Sequence, residues 1–254
     1  LDTDTGVLTI SSTNATSADE TRYTGYTGLF GSATKSVTKS FAAGEMANYH
    51  YSWYYPSDNG DGPKNNDYAG KPNYRDYASS IKSIVVEEGV VKIGAAAFAG
   101  LTELTSITLT STLTSIGFEA FRGCSKLTTI NLGPNVCTLM DRWITECPSL
   151  TTVNIDESNS CYYLDVYGAI YTADGETLVR LPQARNLSEY VIADGTVRLA
   201  TDALYQCSSL EIVTIPASMK TVQYGVFDGM ENLKELRFKS DVAPTFENKI
   251  GNGT

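Results

Sequence analysis

One histidine, two tryptophans and four methionines occur in 254 residues, and no stretch of about 18 consecutive apolar residues exists to span a bilayer. Each shortage excludes something. A serine–histidine or cysteine–histidine mechanism would have to run through His50, which has no G-x-S-x-G elbow or comparable partner motif beside it. The five cysteines, Cys124, Cys137, Cys147, Cys161 and Cys207, form no C-x-x-C pair and have no histidine-rich surroundings, so the usual zinc signatures are missing. Basic residues are outnumbered, 19 Lys and Arg against 29 Asp and Glu, and the formal charge of −10 opposes both nucleic acid and anionic membrane surfaces. The opening "LDTDTGVLTI" has neither a basic start nor an apolar signal core, which leads us to expect either a cytosolic protein or a mature or trimmed chain.

What the sequence does contain is a period. Phe98 and Phe121 are 23 residues apart, as are Cys124 and Cys147, and Leu104, Leu127 and Leu150 keep the same interval before Leu210 and Leu233 resume it. Aligned on the leucines, the pattern reads Leu104-x-x-Ile107-x-Leu109, Leu127-x-x-Ile130-x-Leu132, Leu150-x-x-Val153-x-Ile155, Leu187-x-x-Tyr190-x-Ile192, Leu210-x-x-Val213-x-Ile215 and Leu233-x-x-Leu236-x-Phe238. An earlier copy centres on Ile84 and Val86, which makes seven rungs. Alternating apolar positions bury one face of a short strand, and β-branched residues suit the pleat. After each strand comes a turn and then a spacing such as Ala120, Phe121, Cys124, Leu127, which lies on one helical face and predicts a short helix.

Such a unit encloses too little area to offset an ordering entropy of about 1–2 kcal/mol per residue, so it must stack on its copies. The expected fold is α/β: a leucine-rich-repeat solenoid with parallel strands on the concave face and short helices on the convex face. One irregularity interrupts it. Leu150 to Leu210 is 60 residues where two repeats would take 46, and "YGAIYTADGETLVRLP", residues 167–182, alternates about Asp174-Gly175 as a β-hairpin does.

The stretches "VVKIGAAAFAGLTELTSITL", "LTSIGFEAFRGCSKLTTINL" and "VQYGVFDGMENLKELRF" resemble the BspA-like leucine-rich repeats of bacterial surface and secreted proteins, over about residues 81–240. "GVLTI" at 6–10 and "GEMANYHYSWYYP" at 44–56 resemble that family's lead-in, a hairpin and a Trp-containing segment that caps the first rung. The resemblance implies a Tyr-rich capping region over 1–80, a solenoid over 81–240 with the inserted hairpin near 157–186, and a tail over 241–254. It also implies an extracellular or cell-surface location and a non-enzymatic, adhesion-like role towards a host or matrix macromolecule; a carbohydrate-binding module of a surface glycan-capture system and a structural spacer are the alternatives, the partner is expected to be a protein or glycan, and no cofactor is assigned.

Outward positions on the strands would line the concave face: Ser83, Val85 and Glu87; Ser106, Thr108 and Thr110; Thr129, Asn131 and Gly133; Thr152, Asn154 and Asp156; then Glu235, Arg237 and Lys239. Small hydroxyl and amide groups there suit a flat hydrogen-bonding surface for a glycan or an extended peptide, and Thr equally suits any exposed strand. Tyr51, Trp53 and Tyr54 offer an aromatic platform for a ligand or a seal for the edge of the first rung. Asp58, Asp61 and Asp67 in "SDNGDGPKNND" miss the D-x-[DN]-x-[DN]-G calcium-loop spacing by one residue and read as a solvated loop, so no metal site is assigned. Cys124 and Cys147 occupy equivalent places on adjoining rungs, within disulfide reach in principle, but the same position holds Leu101 and Met230 elsewhere, which favours buried thiols in packing roles. The Asn-x-Ser/Thr triplets at Asn14, Asn186 and Asn252 matter only in a eukaryotic secretory route.

Overall fold

A computed structural model describes residue 2, residues 4–10 and residues 78–247. With strands numbered in chain order, the alternating Leu-x-x-Ile segments form β2 (Ser83–Val86), β4 (Ser106–Thr108), β6 (Thr129–Leu132), β8 (Thr152–Ile155), β12 (Glu189–Val191), β14 (Ile212–Ile215) and β16 (Glu235–Phe238). All seven expected rungs are therefore strands. In three groups, β2 with β4, β6 with β8, and β12 with β14 and β16, they pair in parallel at the repeat interval, Ser83 with Ser106, Thr129 with Thr152, and Val213 with Leu236. The leucine at the head of each rung is at most 2% exposed at Leu104, Leu127, Leu150 and Leu210, and each such burial contributes about 1.5–3 kcal/mol.

The lead-in differs from expectation. Strand β1 (Val7–Ile10) of "GVLTI" pairs in parallel with β2, from Val7 with Ser83 to Ile10 with Val86, and among the described residues its antiparallel contact is confined to the bridge between Asp2 and Val7. The reason lies in the alternation: Leu8 and Ile10 are fully buried, and in-register parallel pairing points them into the interior already occupied by Ile84 and Val86. Tyr51, Trp53, Tyr54, His50 and the acidic loop Asp58 to Asp67 lie outside the described residues.

A second ladder runs along the stack. It is built from two-residue strands: β3 (Lys92–Ile93), β5 (Ser115–Ile116), β7 (Thr138–Leu139), β13 (Arg198–Leu199), β15 (Thr221–Val222) and β17 (Thr245–Phe246). Ile93, Ile116, Leu199 and Val222 are its buried residues. The stretch read as a C-terminal tail thus supplies a strand, with Thr245 N–H donating to the Lys220 carbonyl at 2.8 Å and Glu247 N–H to that of Val222 at 2.9 Å.

Between the second ladder and the next rung, the expected helices are turns. The helical spacing is present, but two residues per rung sit at positive φ: Ala96, Glu119, Arg142, Asp202 and Gly225 at the first position, and Gly100, Gly123, Glu146, Gln206 and Gly229 at the second. A left-handed residue ends a helical run. The freed N–H groups reach the next rung instead, Ala96 to the Phe118 carbonyl and Phe98 to that of Ala120, each at 2.8 Å, and Phe121 to that of Trp143 at 2.9 Å. Apolar side chains of the turns stack along the same axis, with the Phe98 and Phe121 rings 5.5 Å apart.

The inserted hairpin is present. Strands β10 (Ile170–Thr172) and β11 (Thr177–Arg180) pair antiparallel around Asp174-Gly175, and β9 (Tyr162–Leu164) pairs antiparallel on the other edge of β10. On its far side β11 pairs in parallel with β13, so the hairpin is the start of the second half of the second ladder. Ile170 packs in the N-terminal core cluster and Tyr171 in the C-terminal one, which makes β10 the seam between them. The Tyr171 and Tyr190 hydroxyls lie 2.9 Å apart, and Tyr190 donates to Asp165 at 2.9 Å.

A disulfide closes this joint. Cys137 and Cys161, 24 residues apart with Cα atoms at 5.2 Å, tie the residue before β7 to the residue before β9. Beside it, the Tyr162 hydroxyl accepts the Leu139 N–H at 3.1 Å and reaches the Cys137 carbonyl at 3.3 Å, so a side chain supplies the pairing that a next parallel strand would have given. Cys124 and Cys147, which the spacing placed within reach of each other, are buried thiols outside the disulfide. Each directs its thiol to a carbonyl 26 residues earlier, that of Phe98 at 3.2 Å and that of Phe121 at 3.1 Å.

Candidate functional site

The outward positions of the first ladder form one continuous series of side chains per half. In the N-terminal half Ser106, Thr108, Asn131 and Asn154 are exposed and Thr129 and Thr152 half-buried, all on one face of β4, β6 and β8. Asn131 and Asn154 are register partners, and the Asn154 amide donates to the Asn131 Oδ1 at 2.7 Å. That bond leaves the Asn131 amide donors at one end of the pair and the Asn154 Oδ1 at the other, ready for an outside partner.

Two assigned positions serve the backbone. Asp156 accepts from both the N–H and the hydroxyl of Ser158, at 2.9 and 2.5 Å, and those bonds hold its carboxyl below the usual carboxylate range. Thr110, expected on the exposed face, is 5% exposed, its hydroxyl 3.1 Å from that of Thr112 as the chain turns away.

The C-terminal half carries charge. Arg237 donates through Nε and Nη2 to both carboxylate oxygens of Glu235, at 2.9 and 3.0 Å, and through Nη1 to Glu189 at 3.0 Å, two strands away. Hydrogen bonding to Glu235 raises the Arg237 pKa and lowers that of Glu235. Lys239 pairs with Asp194 at 2.9 Å. Each partner of Arg237 is about half exposed, so these pairs organise the surface and add little stability. Glu189 and Val191 belong to the same outward series and were not singled out in the sequence, although Leu187-x-x-Tyr190-x-Ile192 puts both between buried positions.

A second polar group lies at the turns, out of solvent. Glu119 and Asp202 are 3% and 2% exposed; Arg142 Nε is 2.9 Å from Asp202 and 3.6 Å from Glu119, and Arg122 is 2.9 Å from Glu146. Burial raises the pKa of both acids, opposed by the neighbouring arginines. The Arg142–Asp202 contact is an ion pair without hydrogen-bond geometry. Among the described residues no group of three or more His, Cys, Asp or Glu side chains is arranged to hold a metal ion, and none of the described helices is long and apolar enough to cross a membrane.

Residues 72–167 and 182–250 match the BspA type leucine rich repeat region, in six copies. The chain belongs to that family. The gap between the matched stretches falls on the inserted hairpin and its flanks, where the period breaks. Among curated proteins no sequence matches it. Solved structures similar to it include the pneumococcal vaccine antigen PcpA, 19% identical with a TM-score of 0.55 over 93% of this chain and 62% of that one. A leucine-rich repeat protein from Eubacterium ventriosum is 18% identical with a TM-score of 0.48 over 71% of this chain and 66% of that one. The leucine rich repeat protein of T. pallidum is 24% identical with a TM-score of 0.42, over 62% and 71% of the two chains. This chain therefore spans less than two thirds of the length of the first two, and the likeness is one of fold.

Proposed function

We propose that this BspA-type solenoid is a non-enzymatic binding scaffold, secreted or held at a cell surface, which takes an extended segment of a host or matrix protein along the outward face of its first ladder. The observation that carries the reading is the Asn131–Asn154 pair with its neighbouring Ser and Thr positions: open amide and hydroxyl groups recur from strand to strand at about 4.8 Å and give a flat row of donors and acceptors for the main chain of an extended segment. The charged half adds direction, since the forked Arg237 between two glutamates offers both signs to a partner. Family membership and the Cys137–Cys161 disulfide, a bond typical of oxidising compartments, support an exported protein.

Capture of matrix and mucin-type proteins by the purified chain, measured by surface plasmon resonance, tests this. The Asn131→Ala, Asn154→Ala double variant is expected to weaken capture about tenfold, and Glu235→Lys with Arg237→Glu to slow association, both with an unchanged Tm. Capture that survives both variants sinks the proposal. Binding to a glycan array that disappears with Trp53→Ala would place function in the Tyr51, Trp53, Tyr54 region instead.

A further inference from the structure

The joint between the halves opens a cavity of about 210 Å³ on the second ladder, away from the face discussed above. One wall is the segment after β7, Met140 to Trp143; the other is the outward side of β11, β13 and β15. The cavity is a product of the irregularity. A regular stack would place another short parallel strand against β7, whereas here the chain turns back through β9 and the hairpin.

Its lining has a definite chemistry. Thr177 and Arg198 are register partners on adjacent strands, and the following outward series is Val179, Ala200 and Gln223, with the small Ala200 lowering the floor between larger neighbours. Arg198 is exposed and has no ion-pair partner among the described residues, in a chain of net charge −10. The Gln223 amide nitrogen is held by Glu247 at 3.3 Å, which leaves its Oε1 open, and the Thr177 hydroxyl makes no bond of its own among the described residues. Asp141, exposed at the rim, accepts only a long bond from Thr201 at 3.4 Å. Trp143 is 3% exposed, and its indole N–H has no acceptor among the described residues.

An unpaired cation selects an anion, but a bare carboxylate or phosphate would be repelled by Asp141 and would leave Gln223 Oε1 without a donor. A ligand with one carboxylate and several hydroxyl groups satisfies all of them: the carboxylate on Arg198, hydroxyl donors to Asp141 and Gln223, and a C–H face on Val179 and Ala200. The volume lies below the roughly 300–1,000 Å³ of sites for drug-sized ligands, so it admits a single sugar ring and no longer glycan. We propose that this cavity is a binding site for an acidic monosaccharide unit, of the uronic or sialic acid type, at the end or branch of a glycan.

Titration of the full chain with glucuronate, N-acetylneuraminate, glucose and acetate, read by calorimetry and by the Trp143 indole N–H resonance, tests the assignment. At least one acidic sugar is expected to bind and to move that resonance, with glucose and acetate each at least about tenfold weaker. Arg198→Gln is expected to abolish the preference for the acid over the neutral sugar, and Ala200→Leu to weaken both by filling the floor, each with Tm and circular dichroism unchanged. Equal binding of glucose and glucuronate, binding of acetate as strong as that of the sugars, no binding of either acid up to about 10 mM, or an Arg198→Gln variant with its preference intact would overturn the proposal.

Discussion

Gly117 tolerates no side chain. A Cβ built there would stand 2.6 Å from the backbone N of Ala95 and the carbonyl carbon of Gly94, on the preceding rung, and main-chain atoms cannot step aside as a flexible side chain can. Gly117→Ala is expected to cost about 1–3 kcal/mol by chemical denaturation, and an unchanged midpoint would mean that the rungs have more freedom than this contact implies. The buried thiols give a second expectation at this scale. Burial pushes Cys147 up to about 12 and Cys207 to about 11, and Cys124 is fully buried. Because the thiolate is the reactive form, iodoacetamide at about pH 8 should leave all three unmodified in the native protein and label all three once it is unfolded, as read by mass spectrometry.

At the scale of elements, the joint holds most of what is particular to this chain. The disulfide closes a loop of 24 residues, so Cys137→Ser with Cys161→Ser is expected to lower stability by about 3 kcal/mol in denaturant titrations, with the largest loss of hydrogen-exchange protection at β7 and β9. Tyr162→Phe leaves the Leu139 N–H without its acceptor, and should cost about 1–3 kcal/mol there even with the disulfide intact. These elements also mark the limit of what the sequence reveals. Every Leu-x-x-Ile strand was legible because a four-residue alternation with one buried face leaves a strong pattern, and Asp174-Gly175 announced its hairpin. The second ladder was not, since a two-residue strand such as Ser115–Ile116 has a single inward residue and no alternation to mark it as a strand, although it recurs every 23 residues. The turns were misread because Ala120, Phe121 and Cys124 keep helical spacing while Glu119 at φ 52° breaks the helix, and a glutamate gives no sign of a left-handed backbone. The pairing of Cys137 with Cys161 escaped for a related reason: at 24 residues it deviates by one from the repeat, across the one joint where the repeat does not predict who faces whom. Of the outward positions, those on β4, β6 and β16 follow directly from alternation, whereas the cavity wall after β7 exists only through the break.

At the scale of the molecule, the two sets of shifted acids act in opposite senses on stability. Glu119 and Asp202, raised by burial, stay protonated in the folded chain at a pH where the unfolded chain has released those protons; their contribution is complete below the ordinary carboxylate range and lost as pH rises through the raised values. Asp156 and Glu235, lowered by hydrogen bonds to Ser158 and Arg237, contribute above the ordinary range and lose that contribution on acidification. A Glu119→Gln, Asp202→Asn variant keeps only the second set, so between about pH 7 and pH 5 its Tm should lack the rise that the two buried acids give the parent. Equal slopes would show that the neighbouring arginines cancel the effect of burial, and a parent that loses more than the variant would show that they outweigh it.

The seam at β10 has a genetic consequence. A 23-residue unit on either side carries its own leucine, its own ring or aliphatic stack and its own pair of strands, so unequal crossing-over that duplicates or deletes one unit leaves a chain that still closes on its neighbours. No such exchange can cross the joint, where the two cysteines, Tyr162 and the hairpin each occur once and serve one another. The fold thus accommodates two tracts of variable copy number around a centre that has to stay whole, and length variation among close relatives is expected to be confined to whole units on either side of it.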